Sequence, residues 1–184
     1  MKKLYKKLFI IASVLLSQQV CAATITWNVP DYSAGLNEVF TLDVIGTGFV
    51  GNVDGGGVNI SYDATVLNVL SVSIDENIWD LGAGISTGTI DNSVGTVNGI
   101  TVNAFSSVTG DFIVASIEFL AVGAGLTDTS LSEYVLNPWG SGGNPINPDH
   151  VPGLVTVSAV PLPAAVWLFG AGLAALLGIA RRKA

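Results

Sequence analysis

Apolar and polar residues alternate over eight short stretches of the chain, with turn-forming residues between them. A period of two places successive side chains on opposite faces of a strand, so each stretch predicts a β-strand with one buried face. In the second stretch, for example, Phe40, Leu42 and Val44 share one face. The predicted strands cover residues 24–29, 39–45, 58–62, 67–74, 85–90, 96–105, 112–122 and 154–159.

The spacing of the turns predicts the fold class. Turn signals every 8–12 positions and no helical period longer than a turn or two are typical of an all-β sandwich. Residues 30–37 and the glycine-rich stretch 46–57 are expected to be connections, and residues 137–152 to form a projecting loop. Residues 24–158 therefore predict one domain that can bury a sizeable core.

The N-terminus carries the pattern of a secretory signal peptide over residues 1–23. Four lysines precede an apolar run over residues 8–16, and small residues follow at Ala22 and Ala23. That run is about half of the ~20 residues that a membrane-spanning helix needs, which disfavours a permanent N-terminal anchor. Signal peptidase is thus an expected partner, and Gln18 and Gln19 fit a lipoprotein motif at Cys21 poorly.

The C-terminus has a Pro motif, an apolar stretch and a basic tail over residues 159–184. The apolar stretch, residues 164–180, is long enough for a transmembrane helix of ~25 Å, and basic residues hold such a helix end in the cytoplasm. The motif residues are Val160, Pro161, Leu162 and Pro163, and the tail residues are Arg181, Arg182 and Lys183.

These C-terminal residues resemble the PEP-CTERM sorting signal of Gram-negative, biofilm-forming bacteria, with Leu162 where many members have glutamate. The resemblance implies recognition by an exosortase, a membrane cysteine protease-like enzyme, and cleavage near Pro163. The protein would then be anchored transiently in the inner membrane and pass to the cell surface or the extracellular matrix. A permanent membrane anchor is the alternative, since hydropathy alone does not separate the two.

Charge is distributed very unevenly along the chain. All seven lysines and arginines lie in the two terminal segments, whereas all fourteen acidic residues lie between Asp31 and Asp149. A uniformly acidic domain repels phosphate backbones and excludes nucleic acid as a partner. The single cysteine, Cys21, leaves the mature domain without a disulfide, so packing alone must hold it together.

A second resemblance spans most of residues 24–158. The segment from Gly57 to Ser73 is similar to cohesin domains, in which an alternating strand ends in Tyr-Asp, here Tyr62-Asp63, and leads to a leucine, here Leu67. The resemblance implies a jelly-roll β-sandwich of about nine strands, related to carbohydrate-binding modules. Independently of the family, Asp63 is expected to cap the following turn and Leu67 to enter the core.

The domain offers little for catalysis. His150, the one histidine, lies in a Pro-rich loop and is expected to be solvated, and its neighbour Asp149 does not make a triad, which requires spatial geometry. Paired carboxylates could cleave glycosides, but chance pairs are expected among fourteen acids. No cofactor is predicted except Ca²⁺, for which loop acids are weak candidate ligands: Asp54, Asp75, Glu76 and Asp80.

Three tryptophans in the domain have different expected roles. Trp27 alternates within a strand and is expected in the core, whereas Trp79 and Trp139 are candidates for contact with a sugar ring or a partner. The sequence therefore favours a non-catalytic binding module for polysaccharide or protein. An acidic structural matrix protein, bridged by Ca²⁺ and without a specific ligand, is the alternative.

Overall fold

The computed structural model describes residues 22–159, and the predicted signal peptide up to Cys21, sorting motif, transmembrane helix and basic tail lie outside this part. Within it, no helix is long and apolar enough to cross a bilayer. The described chain forms thirteen strands and a 3₁₀ turn, Leu81–Ala83. The strands are β1 Thr24–Trp27, β2 Asp31–Gly35, β3 Val39–Thr47, β4 Asn52–Ser61, β5 Leu67–Ser73, β6 Ser86–Asp91, β7 Thr96–Thr109, β8 Phe112–Ala121, β9 Gly125–Glu133, β10 Gly140–Ser141, β11 Asn144–Pro145, β12 Asp149–His150 and β13 Gly153–Ser158.

Two sheets pack face to face, as the alternation predicted. The smaller sheet has the order β12-β1-β3-β8-β5. In the larger sheet, neighbouring strands follow the order β2-β13-β9-β4-β7-β6. The short strands β10 and β11 add to β4 on the side away from β7. Buried residues alternate along β3, where Phe40, Leu42 and Val44 all face the core. The predicted β-sandwich is therefore confirmed.

The first and last segments of the domain cross between the sheets together. β1 pairs in parallel with β12 in the smaller sheet, and β2 pairs in parallel with β13 in the larger sheet. The crossings lie side by side, because the amide of Val151 donates to Ile25 and that of Leu154 donates to Pro30. Pro30 has no amide hydrogen to continue a ladder, which suits the point where the chain changes sheets.

The chain enters and leaves the sandwich at opposite ends. We call the end where β13 finishes the exit end; there Ser158 accepts from the amide of Leu36, and Val157 lies opposite Gly125. At the far end, Thr24 lies opposite Thr47 and Asn52 opposite Thr109. The two ends differ in composition and in what they can present to solvent.

Aromatic side chains fill the space between the sheets in two groups. Toward the exit end, Trp27, Phe40 and Tyr62 surround Phe119 at ring-centroid distances of 5.5–6.0 Å. At the far end, Phe112 contacts Phe49, Trp79 and Trp139 at 5.0–5.9 Å. All of these rings are buried, which confirms the core role expected for Trp27. Packing of this kind supplies the stability that disulfides provide elsewhere.

Three sequence-based expectations about connections were wrong. Residues 30–37 contain β2 rather than only a loop, and β4 begins at Asn52 inside the stretch expected to be a connection. β9 was not predicted at all. Ten strands have four or more residues, against the nine or so that the resemblance implied.

The segment 137–152 does not project, also against expectation. It folds back on the far end, where Gly140 pairs with Gly55 and Thr24 pairs with Asp149. Trp139 anchors it with an indole that lies against Gly56, where a side chain would overlap the ring. The glycine run in β4 thus leaves the slot that the indole fills.

Replacing Gly56 with alanine should lower the free energy of unfolding by ~1–3 kcal/mol, because the added methyl group must displace a buried indole. Thermal denaturation of the purified full-length protein measures this. Gly35→Ala is the matched control, since its Cβ would meet only the flexible end of Glu38 at 3.5 Å. Equal melting temperatures for the two variants would contradict the packing described.

Candidate functional site

Both tryptophans proposed as ligand contacts are buried. Trp79 and Trp139 are each 0% exposed, so neither presents a ring face for stacking on a sugar. The indole nitrogen of Trp79 donates to the carbonyl of Ile113 at 2.8 Å. The expectation that the loop around Trp139 would leave it accessible was wrong, because the slot above Gly56 accepts the ring.

Three of the candidate calcium ligands make separate hydrogen bonds instead of converging on one point. Asp54 accepts from the hydroxyl of Ser107 at 2.9 Å and from the amide of Gly142. Asp75 accepts from the amide of Asn77 at 2.9 Å, and Asp80 accepts from the amide of Phe105 at 2.7 Å. Among residues 22–159, no three His, Cys, Asp or Glu side chains are grouped to hold a metal ion. The structure therefore does not assemble the Ca²⁺ ligand set of Asp54, Asp75, Glu76 and Asp80.

The Tyr62-Asp63 element is structural, as expected. The Asp63 carboxylate accepts from the amide and the hydroxyl of Thr65 at 2.8 and 2.6 Å. These bonds, the side-chain bond first, hold the pKa of Asp63 below its usual value. The Tyr62 hydroxyl donates to Asn92 at 2.6 Å, and burial is the main cause of its raised pKa. Leu67 follows fully buried.

His150 is not the solvated residue that the sequence suggested. It lies half-buried in β12 opposite Ile25, and its Nε2 atom is buried without a hydrogen-bond partner in the described structure. Burial lowers the pKa of His150, against the smaller opposing effects of Glu133, the Pro148 backbone and Asp149. His150 thus lies within the strand pairing of the far end and not in a projecting loop.

The outer face of the larger sheet is its most distinctive surface. Its central strands β9, β4, β7 and β6 present hydroxyl and amide side chains to solvent, namely Ser130, Ser132, Asn59, Ser61, Asn98, Thr101 and Thr89. Of the acids on this face, Asp128 lies in β9 toward the exit end, two residues before Ser130, while Asp31 lies in β2 and Asp91 ends β6. In a domain with fourteen acids, this central area is uncharged.

Tyr134 lies over two glycines of this face, Gly57 and Gly99, which we call the glycine floor. A Cβ on Gly57 would be 3.0 Å from the Tyr134 side chain, and one on Gly99 would be 3.3 Å from its ring. Asn59 fixes the floor by accepting from the amide of Gly99 at 2.9 Å and donating to the carbonyl of Glu133 at 3.2 Å. Sequence reasoning missed Tyr134, because its neighbours come from three different strands.

The outer face of the smaller sheet differs in charge. Asp43 and Glu118 lie near its centre, where Asp43 accepts from Ser116 at 2.6 Å and Glu118 accepts from Ser71 at 3.2 Å. Asp43 also accepts from the side chain of Asn28 at 3.0 Å. The outer face of the larger sheet is therefore neutral near its centre, whereas the outer face of the smaller sheet is acidic.

The fold matches those of solved cohesin modules. The chain is similar to a cohesin from Clostridium acetobutylicum, with 20% identity, 74% of this chain and 92% of that chain covered, and a TM-score of 0.57. It is similar to a chain of a type I cohesin–dockerin complex from Clostridium thermocellum, with 12% identity, 73% and 99% coverage, and a TM-score of 0.60.

A third similar structure is a non-cellulosomal cohesin from the archaeon Archaeoglobus fulgidus, with 14% identity, 74% and 91% coverage, and a TM-score of 0.57. No protein-family model and no curated protein matches the sequence. The structural similarity defines the fold class as a cohesin-like β-sandwich. At sequence identities this low it establishes the fold and does not by itself establish a function.

The pH dependence of stability should carry a contribution from His150. Its folded pKa lies below the ordinary 6.5, so the unfolded chain takes up the proton first as the pH falls. The contribution of His150 to the free energy of unfolding is therefore largest above pH 6.5. It decreases as the pH falls from there toward the folded pKa.

Chemical denaturation of the full-length protein at about pH 7.5 and about pH 5.5 measures this contribution. His150→Gln should lose less stability between the two values than the unaltered protein, because glutamine does not titrate. Identical losses would show that the imidazole is equally exposed in both states.

Proposed function

We propose that this protein is an exported, non-catalytic protein-binding module that is displayed at the surface or in the matrix of a Gram-negative bacterium. The observation that carries the proposal is the neutral outer face of the larger sheet, with Tyr134 on its glycine floor. A broad, rigid surface rich in hydrogen-bonding groups with an aromatic side chain has the character of a protein-binding site.

Two further features support a protein rather than a polysaccharide as ligand. The tryptophans that could have stacked on a sugar are enclosed in the core. One structurally similar chain comes from a cohesin–dockerin complex, so a sandwich of this kind can bind another protein module. The partner class inferred here is therefore a folded protein domain that docks against β9, β4 and β7.

A non-catalytic role agrees with the chemistry available. The domain has no lysine, arginine or cysteine from residue 24 to residue 158, and its one histidine is held in β12. Some acids cap turns, as Asp63 does through Thr65, and others bond across strands, as Asp43 does with Ser116. These groups stabilise the scaffold rather than face a common cleft.

The sorting part of the proposal rests on the two terminal sequences. Signal peptidase would remove residues 1–23, and an exosortase would recognise Val160 to Pro163 with the basic tail at Arg181, Arg182 and Lys183. Because the chain leaves the sandwich after Ser158, a C-terminal membrane segment would direct the far end outward.

Ser132→Arg or Ser61→Arg should abolish partner capture by the full-length protein, because either change puts an unpaired charge in the centre of the neutral face. The measurement is cross-linking on intact cells of the native host, followed by quantitative mass spectrometry. Recovery should fall by at least ~10-fold, which corresponds to about 1.4 kcal/mol of binding energy.

Thr41→Arg on the outer face of the smaller sheet is the control, since it adds the same charge at an exposed strand position. Equal loss in this control would assign binding to net charge rather than to the neutral face. Capture of polysaccharide instead of protein would favour a carbohydrate-binding module, and capture of neither would favour the acidic, Ca²⁺-bridged matrix protein.

The intact mass of the mature protein tests sorting. Protein from the surface or medium of the native host should begin near Thr24 and end near Pro163, because both terminal segments are removed in the proposed route. Pro163→Ala should retain the basic tail and accumulate in the membrane fraction. A tail-bearing mass in the unaltered protein would instead identify a permanent anchor.

A further inference from the structure

A groove of about 460 Å³ opens at one side of the sandwich, between the edge strands of the two sheets. It lies where β5 ends and β6 begins, away from the central area of the neutral face. Its lining combines apolar side chains with a polar rim: Ser73, Ile74, Glu76, Leu81, Ile85 and Thr87.

One wall of the groove is an unpaired strand edge. In the described structure β6 pairs only with β7, so the backbone groups on its other side face outward. Residues 85–87 lie beside the groove, and of these Ser86 and Thr87 belong to the β6 edge. Such an edge can accept an added strand through main-chain hydrogen bonds.

The opposite edge is already protected near Asn92. The amide of Val69 in β5 donates to the Asn92 side chain at 2.8 Å, and that side chain donates back to the Val69 carbonyl at 3.0 Å. A side chain thus takes the place of a neighbouring strand at this point of β5. On β6 the Gly88 amide donates to the Ser86 hydroxyl at 3.1 Å, a bond within the strand itself. In the described part of the chain, no side-chain hydrogen bond links Ser86 or Thr87 to β5, so this short stretch of β6 is the edge available to a ligand.

Exposed apolar side chains continue the groove toward the far end. Leu81 is 65% exposed and Phe105 is 77% exposed. A Cβ on Gly82 would lie 3.4 Å from the Phe105 ring, which places this ring over the 3₁₀ turn next to Leu81. The bond from the Phe105 amide to Asp80 holds the two segments together. Together with Ile74 and Ile85 they form an apolar strip of the kind that marks interaction sites.

The charge of the groove defines its ligand further. Glu76 is the only charged residue in the lining, and the domain around it contains no lysine or arginine. A second copy of this acidic domain would be repelled, as would nucleic acid. A ligand that carries lysine or arginine beside apolar residues complements the groove.

We propose that this groove binds an extended peptide segment of another protein, in which apolar residues alternate with lysine or arginine. The segment adds a short strand to β6, places an apolar side chain against Ile74, Ile85 and Leu81, and pairs a basic side chain with Glu76. This site is separate from the neutral face and gives the domain a second binding surface.

Hydrogen exchange of the full-length protein tests the added strand. The probe is a ten-residue peptide of alternating valine and lysine, blocked at both ends. At saturation it should slow exchange of amides in residues 85–87 by ~10-fold or more, because exchange from a paired edge requires opening. A control peptide with every second valine replaced by proline keeps the charge but cannot form the ladder.

Substitutions test the groove itself. Leu81→Ser and Glu76→Gln should each raise the Kd of the probe by ~10-fold, equivalent to about 1.4 kcal/mol. Leu126→Ser and Asp128→Asn make the same kinds of change at exposed positions near the exit end and should leave the Kd unchanged.

Equal binding of the proline peptide, protection away from β6, or equal effects of the control substitutions would overturn the proposal in favour of general charge attraction. Ser132→Arg separates the two proposals, since it alters the neutral face and should not change binding of the probe. Failure of the groove test therefore leaves the proposed function standing, and the reverse also holds.

Discussion

The constraint behind this structure is fourteen carboxyl groups in a domain without a single lysine or arginine. No side-chain ammonium or guanidinium group is present to neutralise them, so backbone amides and hydroxyl groups stabilise many of these charges. Asp63 and Asp91 accept from Thr65 and Ser93 in the same kind of tight turn. The bonds of Asp63 and Asp91 are local and shape turns, whereas Asp43 and Glu118 bond between strands on the outer face of the smaller sheet. Cohesion between the sheets comes from the two aromatic groups around Phe119 and Phe112.

The same constraint explains why surfaces differ. Acids that cap turns lie at the ends and sides of the sandwich, which leaves the middle of the larger sheet to serine, threonine and asparagine. A neutral area inside a strongly negative molecule restricts where a partner can approach without meeting repulsion. The groove beside β6 adds a second kind of complementarity, in which a single carboxylate and an open strand edge act together.

Sequence alone predicted the sandwich and most of its longer strands, because alternation is strong wherever the buried residues are aliphatic or aromatic. β9 was missed because its buried positions include Thr127 and Thr129, which a hydropathy pattern assigns to solvent. β2 was missed because proline, aspartate and glycine are typical of turns, although an edge strand tolerates them. The role of Trp139 depends on the glycine at position 56, a contact between distant segments that no local pattern contains. The same holds for Tyr134 on its floor.

The parallel placement of β13 beside β2 has a mechanical consequence. β13 is bonded on both sides, to β2 and to β9, along nearly its whole length, and the chain leaves it in the direction of the strand axis at Ser158. Tension applied through a C-terminal attachment would load these ladders in shear, so several hydrogen bonds must fail together rather than open one by one. The lifetime of the domain under such a load is then set by its unfolding rate. If the protein is attached through its C-terminus, a force on a bound partner would act against these ladders in shear.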